Sequence, residues 1–227
     1  MDNLAHNIEA VKNKIEDASG GASDSVTLIA VTKTVGVETV RAAVEMGLRN
    51  LGENRVQEQQ AKALELENYD IFWNLIGSVQ KNKIKYTKNH VNMIQSLDRL
   101  DLAQAMQDIY EKNDMVMQCL VQVNIGYESQ KSGVFPENLM DFIKDLENYK
   151  NICIKGLMCI PPFSDDIYET SKFFVKMRDL YNSVIDMSFN HVDMQYLSMG
   201  MSGDFEAAIE NGANMVRIGS AIFGQRL

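Results

Sequence analysis

From residue 27 onward, short apolar runs rich in β-branched residues alternate with longer stretches whose apolar residues recur every three or four positions. The short runs fall at 27–33, 50–54, 71–79, 91–97, 116–123, 152–160, 192–199 and 215–223. Strands that are apolar on nearly every residue are buried on both faces, as in a parallel sheet covered by helices. A leading amphipathic helix carries Leu4, Ile8, Val11 and Ile15 and stops at Ser19-Gly20-Gly21. Further helices are expected around Val37, Val40 and Val44, over 55–67, and over the basic stretch that follows the third strand. Asp98 reads as the N-cap of a helix bearing Leu102, Met106 and Ile109, and Pro136 as the first residue of one bearing Leu139, Phe142, Ile143 and Leu146. Helices at 166–184 and 204–210 complete the pattern, and no Pro/Gly/Ser-rich linker divides it. Eight strand–helix units in 227 residues suit one closed (β/α)8 TIM barrel, a single α/β domain over 1–227 with an extra N-terminal helix. A doubly wound open sheet is the alternative, but no GxGxxG follows the first strand.

Several function classes drop out on composition. The net charge is −9, and the only basic cluster, Lys81, Lys83, Lys85 and Lys88, reads as the solvated face of a helix. Nucleic acid is therefore not expected as a partner, since phosphate neutralisation needs a basic face. The polar start MDNLAHNIEA has no signal-peptide core, and the longest uncharged run, 115–127, is too short to span a bilayer. Cys119, Cys153 and Cys159 lie in apolar runs without CxxC spacing and read as reduced core thiols of a cytoplasmic protein. His6, His90 and His191 share no ligand spacing, so neither a metal site nor a His-based triad is expected.

The chemistry gathers at strand ends. The first strand finishes on Lys33, and an ammonium at the edge of a core is partly desolvated, which makes the neutral amine accessible for Schiff-base chemistry. After the seventh strand comes Ser198-Met199-Gly200-Met201-Ser202-Gly203, and after the eighth Arg217-Ile218-Gly219-Ser220. Barrels commonly hold phosphate after strands seven and eight, where small residues admit the ligand and hydroxyls bond it. Arg217 alternates with Val216 and Ile218, so it faces the barrel interior if they face the helices. A buried guanidinium needs a partner, and a salt bridge with an inward carboxylate such as Glu53 is one reading of it.

Together these segments resemble the pyridoxal phosphate homeostasis proteins, a family similar to the barrel domain of alanine racemase standing alone. The resemblance rests on AVTKT (30–34), LGENRVQE (51–58), IGSVQKNK (76–83), KSG (131–133), GLM (156–158), LSMGMS (197–202) and MVRIGSAIFG (215–224), and covers nearly the whole chain. It implies pyridoxal 5′-phosphate (PLP) as cofactor, held as a Schiff base on Lys33. It further implies that Ser202, Gly219 and Ser220 hold the phosphate, that Arg217 approaches the pyridine nitrogen, and that Asn54 and Met158 lie beside the ring. Asn74 and Gln95 stand where members often have His, and Asn214 where a Thr is usual, which puts in doubt any role for side chains on strands three and four.

A cation beside the pyridine nitrogen disfavours its protonation and weakens the cofactor as an electron sink. The barrel units take up the whole chain, leaving no residues for a second catalytic domain. The expectation is thus a non-catalytic carrier acting in PLP storage and delivery, and indirectly in amino-acid balance. Apo-enzymes would be transient partners and no membrane is involved. An open mouth needs no partner subunit, so a monomer is expected. A weak PLP-dependent amino-acid racemase and a Schiff-base aldolase acting on a phosphosugar are the alternatives. Tyr127 and Tyr168 lie near strand ends, but nothing in the spacing selects either as a base.

Overall fold

A computed structural model describes residues 2–225. Eight parallel strands run β1 (Thr27–Val31), β2 (Asn50–Glu53), β3 (Phe72–Leu75), β4 (Met93–Leu97), β5 (Met117–Val123), β6 (Ile152–Cys159), β7 (Val192–Ser198) and β8 (Met215–Ile218). Each pairs with its sequence neighbours, and β1 also pairs with β8, closing the (β/α)8 barrel through the register Ile29 to Arg217 and Ala30 to Ile218.

The helices are α1 (Asp2–Ala18), α2 (Val37–Glu45), α3 (Val56–Glu65), α4 (Leu100–Glu111), α5 (Leu139–Leu146), α6 (Ile167–Ile185), α7 (Phe205–Glu210) and α8 (Ser220–Phe223). The basic stretch between β3 and β4 forms a 3-10 helix, Lys81–Tyr86, that buries only Ile84. A single turn such as α8 cannot cover the wall beside it. The extra N-terminal helix α1 supplies that cover, lying against α7 and α8. Its Ile8, Val11 and Ile15 are buried in one outer core with Ala30 of β1 and Val216 and Ile218 of β8. Asn7 Nδ2 donates to Ile222 O at 3.0 Å, and Lys14 pairs with Glu206 at 2.6 Å.

Alternation along the strands separates this outer core from an inner one. Ile29, Met93, Leu120, Met158 and Met215 fill the barrel itself. Two strands, β3 and β8, fall far short of their apolar runs. β3 ends at Leu75, and two residues later Gly77 lies so close to Asn54, just past β2, that a Cβ there would stand 2.6 Å from Asn54 O. β8 ends at Ile218, and the apolar residues beyond it belong to α8. Asp98 does not cap α4, whose N-cap is Arg99; its carboxylate instead accepts from Gly133 N at 3.1 Å and pairs with Arg99 at 2.7 Å. Among the described residues, no helix is long and apolar enough to cross a membrane, and no group of three or more His, Cys, Asp or Glu is placed to hold a metal ion.

Candidate functional site

The C-terminal strand ends surround a cleft of about 770 Å3. Lys33, Asn54, Ser202, Arg217, Gly219 and Ser220, six of the seven site residues expected from the sequence, line it. Barrel closure explains the meeting. β1 and β8 are neighbours, so Lys33, two residues beyond Val31, stands at the same rim as Gly219, two beyond Arg217. Asn54 follows β2, the other neighbour of β1.

Met158 is the exception. It is fully buried with Ile29, Met93, Leu120 and Met215 in the barrel interior. Ile160, two residues further on, just past the end of β6, and of the same parity, is the side chain that reaches the cleft. The alternation assigns Met158 to the correct face of the strand but one layer too high.

Arg217 points inward and is 3% exposed, as the alternation with Val216 and Ile218 requires. Its partner is not Glu53, which lies on the outward side of β2 with Leu51. Arg217 Nη1 donates to Ser198 Oγ at 2.7 Å and Nη2 to Cys159 O at 2.8 Å. Burial lowers the pKa of the guanidinium, opposed by the nearby Cys159 and Asp204.

The hydrogen bonds continue from Ser198 across the barrel. Ser198 Oγ donates to Gln95 Oε1 at 2.8 Å, and Gln95 Nε2 donates to Asn74 Oδ1 at 2.9 Å. Asn74 Nδ2 ends the chain on the Leu51 and Phe72 carbonyls, both at 3.3 Å. Each amide donates through its nitrogen and accepts through its oxygen, so this buried line satisfies itself without a titrating group. Asn74 and Gln95 therefore do have a role: they fix Ser198, and through it Arg217. In the sequence Ser198 is only the first residue of the Ser/Gly-rich segment that follows the seventh strand. Asn214 plays no part in the cleft. It bonds Leu197 N at 2.7 Å and Gln195 O at 2.6 Å, tying β7 to the start of β8.

The two serine- and glycine-rich loops are tied together. Ser202 Oγ accepts from Gly219 N at 3.3 Å and from Ala221 N at 3.2 Å, and Arg217 N donates to Gly200 O at 3.0 Å. Two backbone N–H groups thus converge on one oxygen, the arrangement that binds an anion's oxygen equally well. Gly200 makes the sharp entry possible: φ is +92°, and a Cβ would lie 2.7 Å from Ala208 Cβ. Asp204 closes the loop by accepting from Met201 N at 2.6 Å, while burial raises its carboxyl pKa.

A second amine, Lys131 of the KSG segment, lines the same cleft. It pairs with Glu128 and donates to Pro161 O at 3.4 Å. Tyr127 and Tyr168 are exposed and neither lines the cleft; Tyr127 stacks on Phe135 at 5.6 Å between centroids, and Tyr168 lies in α6.

Comparison with known proteins agrees with this geometry. The family model for the alanine racemase N-terminal domain matches residues 1–227. A pyridoxal phosphate homeostasis protein of Aquifex aeolicus is 40% identical over 223 residues, covering 98% of this chain and 96% of that protein. The solved structure of PipY from Synechococcus elongatus PCC7942 with PLP bound superposes with a TM-score of 0.85 at 30% identity, over 97% of this chain and 100% of that one. An alanine racemase of Clostridium difficile 630 has a TM-score of 0.74 at 20% identity, with this chain covering 57% of its length, and shares the fold.

Proposed function

Because the chain belongs to the pyridoxal phosphate homeostasis protein family, built on the alanine racemase N-terminal domain, we propose that it binds PLP in the barrel mouth and serves PLP storage and delivery. The observation that carries this reading is the convergence in one cleft of an amine, a buried guanidinium and a pair of N–H groups aimed at one oxygen. PLP presents a matching set: an aldehyde, a ring nitrogen and a phosphate.

The residues present fit the group. The cleft is of the size that small cofactors occupy. Lys33 would hold the aldehyde carbon, Asn54 would flank the ring, and Ser202, Gly219 and Ser220 would take the phosphate. When bound, PLP supplies an electrophilic carbonyl conjugated to an aromatic ring. The neutral line through Ser198, Gln95 and Asn74 fixes the position of Arg217 without offering the guanidinium a proton acceptor. A permanent cation facing the ring nitrogen disfavours its protonation. That would weaken carbanion stabilisation without bearing on attachment at Lys33, which suits holding the cofactor more than transforming an amino acid. The same reading has the protein act in the cytoplasm as a monomer, passing PLP to apo-enzymes in transient encounters.

Exchange of the α-proton of L-alanine in heavy water tests holding against turnover. A PLP-loaded protein that exchanges no faster than free PLP at equal concentration agrees with the carrier reading. Exchange well above that background makes the protein a racemase-like catalyst.

A further inference from the structure

We propose that Lys62, Glu53 and Glu58, an ion cluster outside the barrel wall, position Lys33 by holding the backbone on both of its sides. The inference rests on the reading of Lys33 as the attachment lysine. Lys62 projects from α3 and is 7% exposed, and Glu53 at the end of β2 is fully buried. An ammonium has three N–H donors, and Lys62 Nζ has three acceptors: Thr32 O at 2.6 Å, Glu53 Oε1 at 2.6 Å and Glu58 Oε1 at 3.0 Å.

Every strand of this cluster returns to the residues flanking Lys33. Thr32 O is bound by Lys62, and Thr32 Oγ1 donates to Glu53 Oε1 at 2.7 Å. On the other side, Thr34 N donates to Glu58 Oε1 at 2.5 Å. Thr34 has φ +63°, a left-handed conformation that a β-branched residue adopts only under restraint. That turn decides where the chain goes after β1, and with it the direction in which the Lys33 side chain leaves the wall. The cluster lies on the face of β1 opposite the cleft, because Thr32 alternates with the cleft-lining Val31 and Lys33. It can therefore act on Lys33 only through the backbone.

Glu53 shows that the cluster is more than packing. Its Oε2 is buried with no hydrogen-bond partner, an arrangement that costs stability. Burial raises the Glu53 carboxyl pKa, and Lys62 and Thr32 oppose the rise. A purely apolar contact between α3 and β1 would cover the same surface without that cost.

Attachment joins Lys33 Nζ to the aldehyde carbon and releases the carbonyl oxygen as water with two amine protons. Its rate depends on where Nζ sits, whereas phosphate binding depends on the loops after β7 and β8, which these hydrogen bonds do not reach. The test uses Glu58→Ala, at a partly exposed position, and Lys62→Met. Three quantities are measured: amide hydrogen exchange of Thr34 without ligand, the rate at which borohydride traps PLP on Lys33, and the affinity for pyridoxine 5′-phosphate, which has the phosphate but no aldehyde. We expect faster Thr34 exchange and trapping slowed roughly tenfold, within the roughly hundredfold that a ~1 Å misplacement of a reacting group can cost, with pyridoxine 5′-phosphate affinity nearly unchanged.

Unchanged exchange and trapping in Glu58→Ala would overturn the inference. So would parallel loss of trapping and phosphate affinity, since the cluster would then only hold the fold. If Lys62→Met does not fold, Glu58→Ala decides alone. A wild-type protein that traps no PLP on Lys33 would sink the functional reading instead, and Thr34 exchange would still judge the clamp.

Discussion

A buried guanidinium is normally met by a carboxylate, yet Arg217 is met by a hydroxyl and a carbonyl, with two amides behind the hydroxyl. Such a line is only as strong as its middle member. Gln95→Leu would leave Asn74 Oδ1 and Ser198 Oγ short of partners, and we expect a loss of about 1–3 kcal/mol in urea unfolding. A change below about 0.5 kcal/mol would show that the line carries little. The inward direction of Arg217 was legible in the alternation MVRI, but its partner was not. Alternation names a face of the wall, while the partner depends on which strand ends lie opposite, and β2 is too short for its own alternation to place Glu53.

Cys159 makes a second prediction at this scale. Burial pushes its thiol from 9.0 up to about 12, with Arg217 opposing. The folded pKa is raised, so this contribution to stability is complete below about pH 9 and is lost progressively as pH rises towards 12. Urea midpoints should therefore fall between pH 8.5 and 10.5 (about the onset of thiol ionisation in unfolded chains), and Cys159→Ala should flatten that fall. An equal fall in the variant would assign the pH dependence to other groups.

Among the elements, α1 and the loops after β7 and β8 carry the most consequence. α1 closes the wall beside the single-turn α8, so its apolar face is part of the barrel's outer core. Ile15→Ala should cost about 2–4 kcal/mol, the range for removing a buried Ile side chain. A cost under about 1 kcal/mol would mean that α1 is an appendage. The helix itself was legible in the spacing of Leu4, Ile8, Val11 and Ile15, but its role was not, since periodicity names a buried face and says nothing of what lies opposite.

The loops after β7 and β8 were legible as Ser- and Gly-rich segments. Their mutual tie through Ser202 Oγ was not, because it joins residues whose spacing follows only from strand pairing. Ser202→Ala with Ser220→Ala should weaken PLP binding by about 0.5–1.5 kcal/mol per lost hydrogen bond, and by more where phosphate is the acceptor. A dissociation constant equal to that of the parent would place the phosphate elsewhere. The overextended third and eighth strands have a common cause: apolar character continues into residues that cover the core from a loop or from α8.

For the molecule as a whole, closure is what makes the site. Lys33 and Arg217 lie near opposite ends of the chain, and the pairing of β1 with β8 brings their strand ends to one rim. The count of eight alternating units made that closure legible in the sequence, and with it the meeting of Lys33, Asn54 and the Ser/Gly loops. The depth of each residue below the rim was not legible, which is why Ile160 and not Met158 faces the cleft. Two amines line the same mouth, Lys33 and Lys131, so the account stands on which of them takes the cofactor. Reduction of the PLP-loaded protein with borohydride, followed by peptide mass mapping, answers this directly. One pyridoxyl group on Lys33 is expected, and in Lys33→Ala no adduct but weak reversible PLP binding. A pyridoxyl group on Lys131 in the wild-type protein, with Lys33 unmodified, would contradict it.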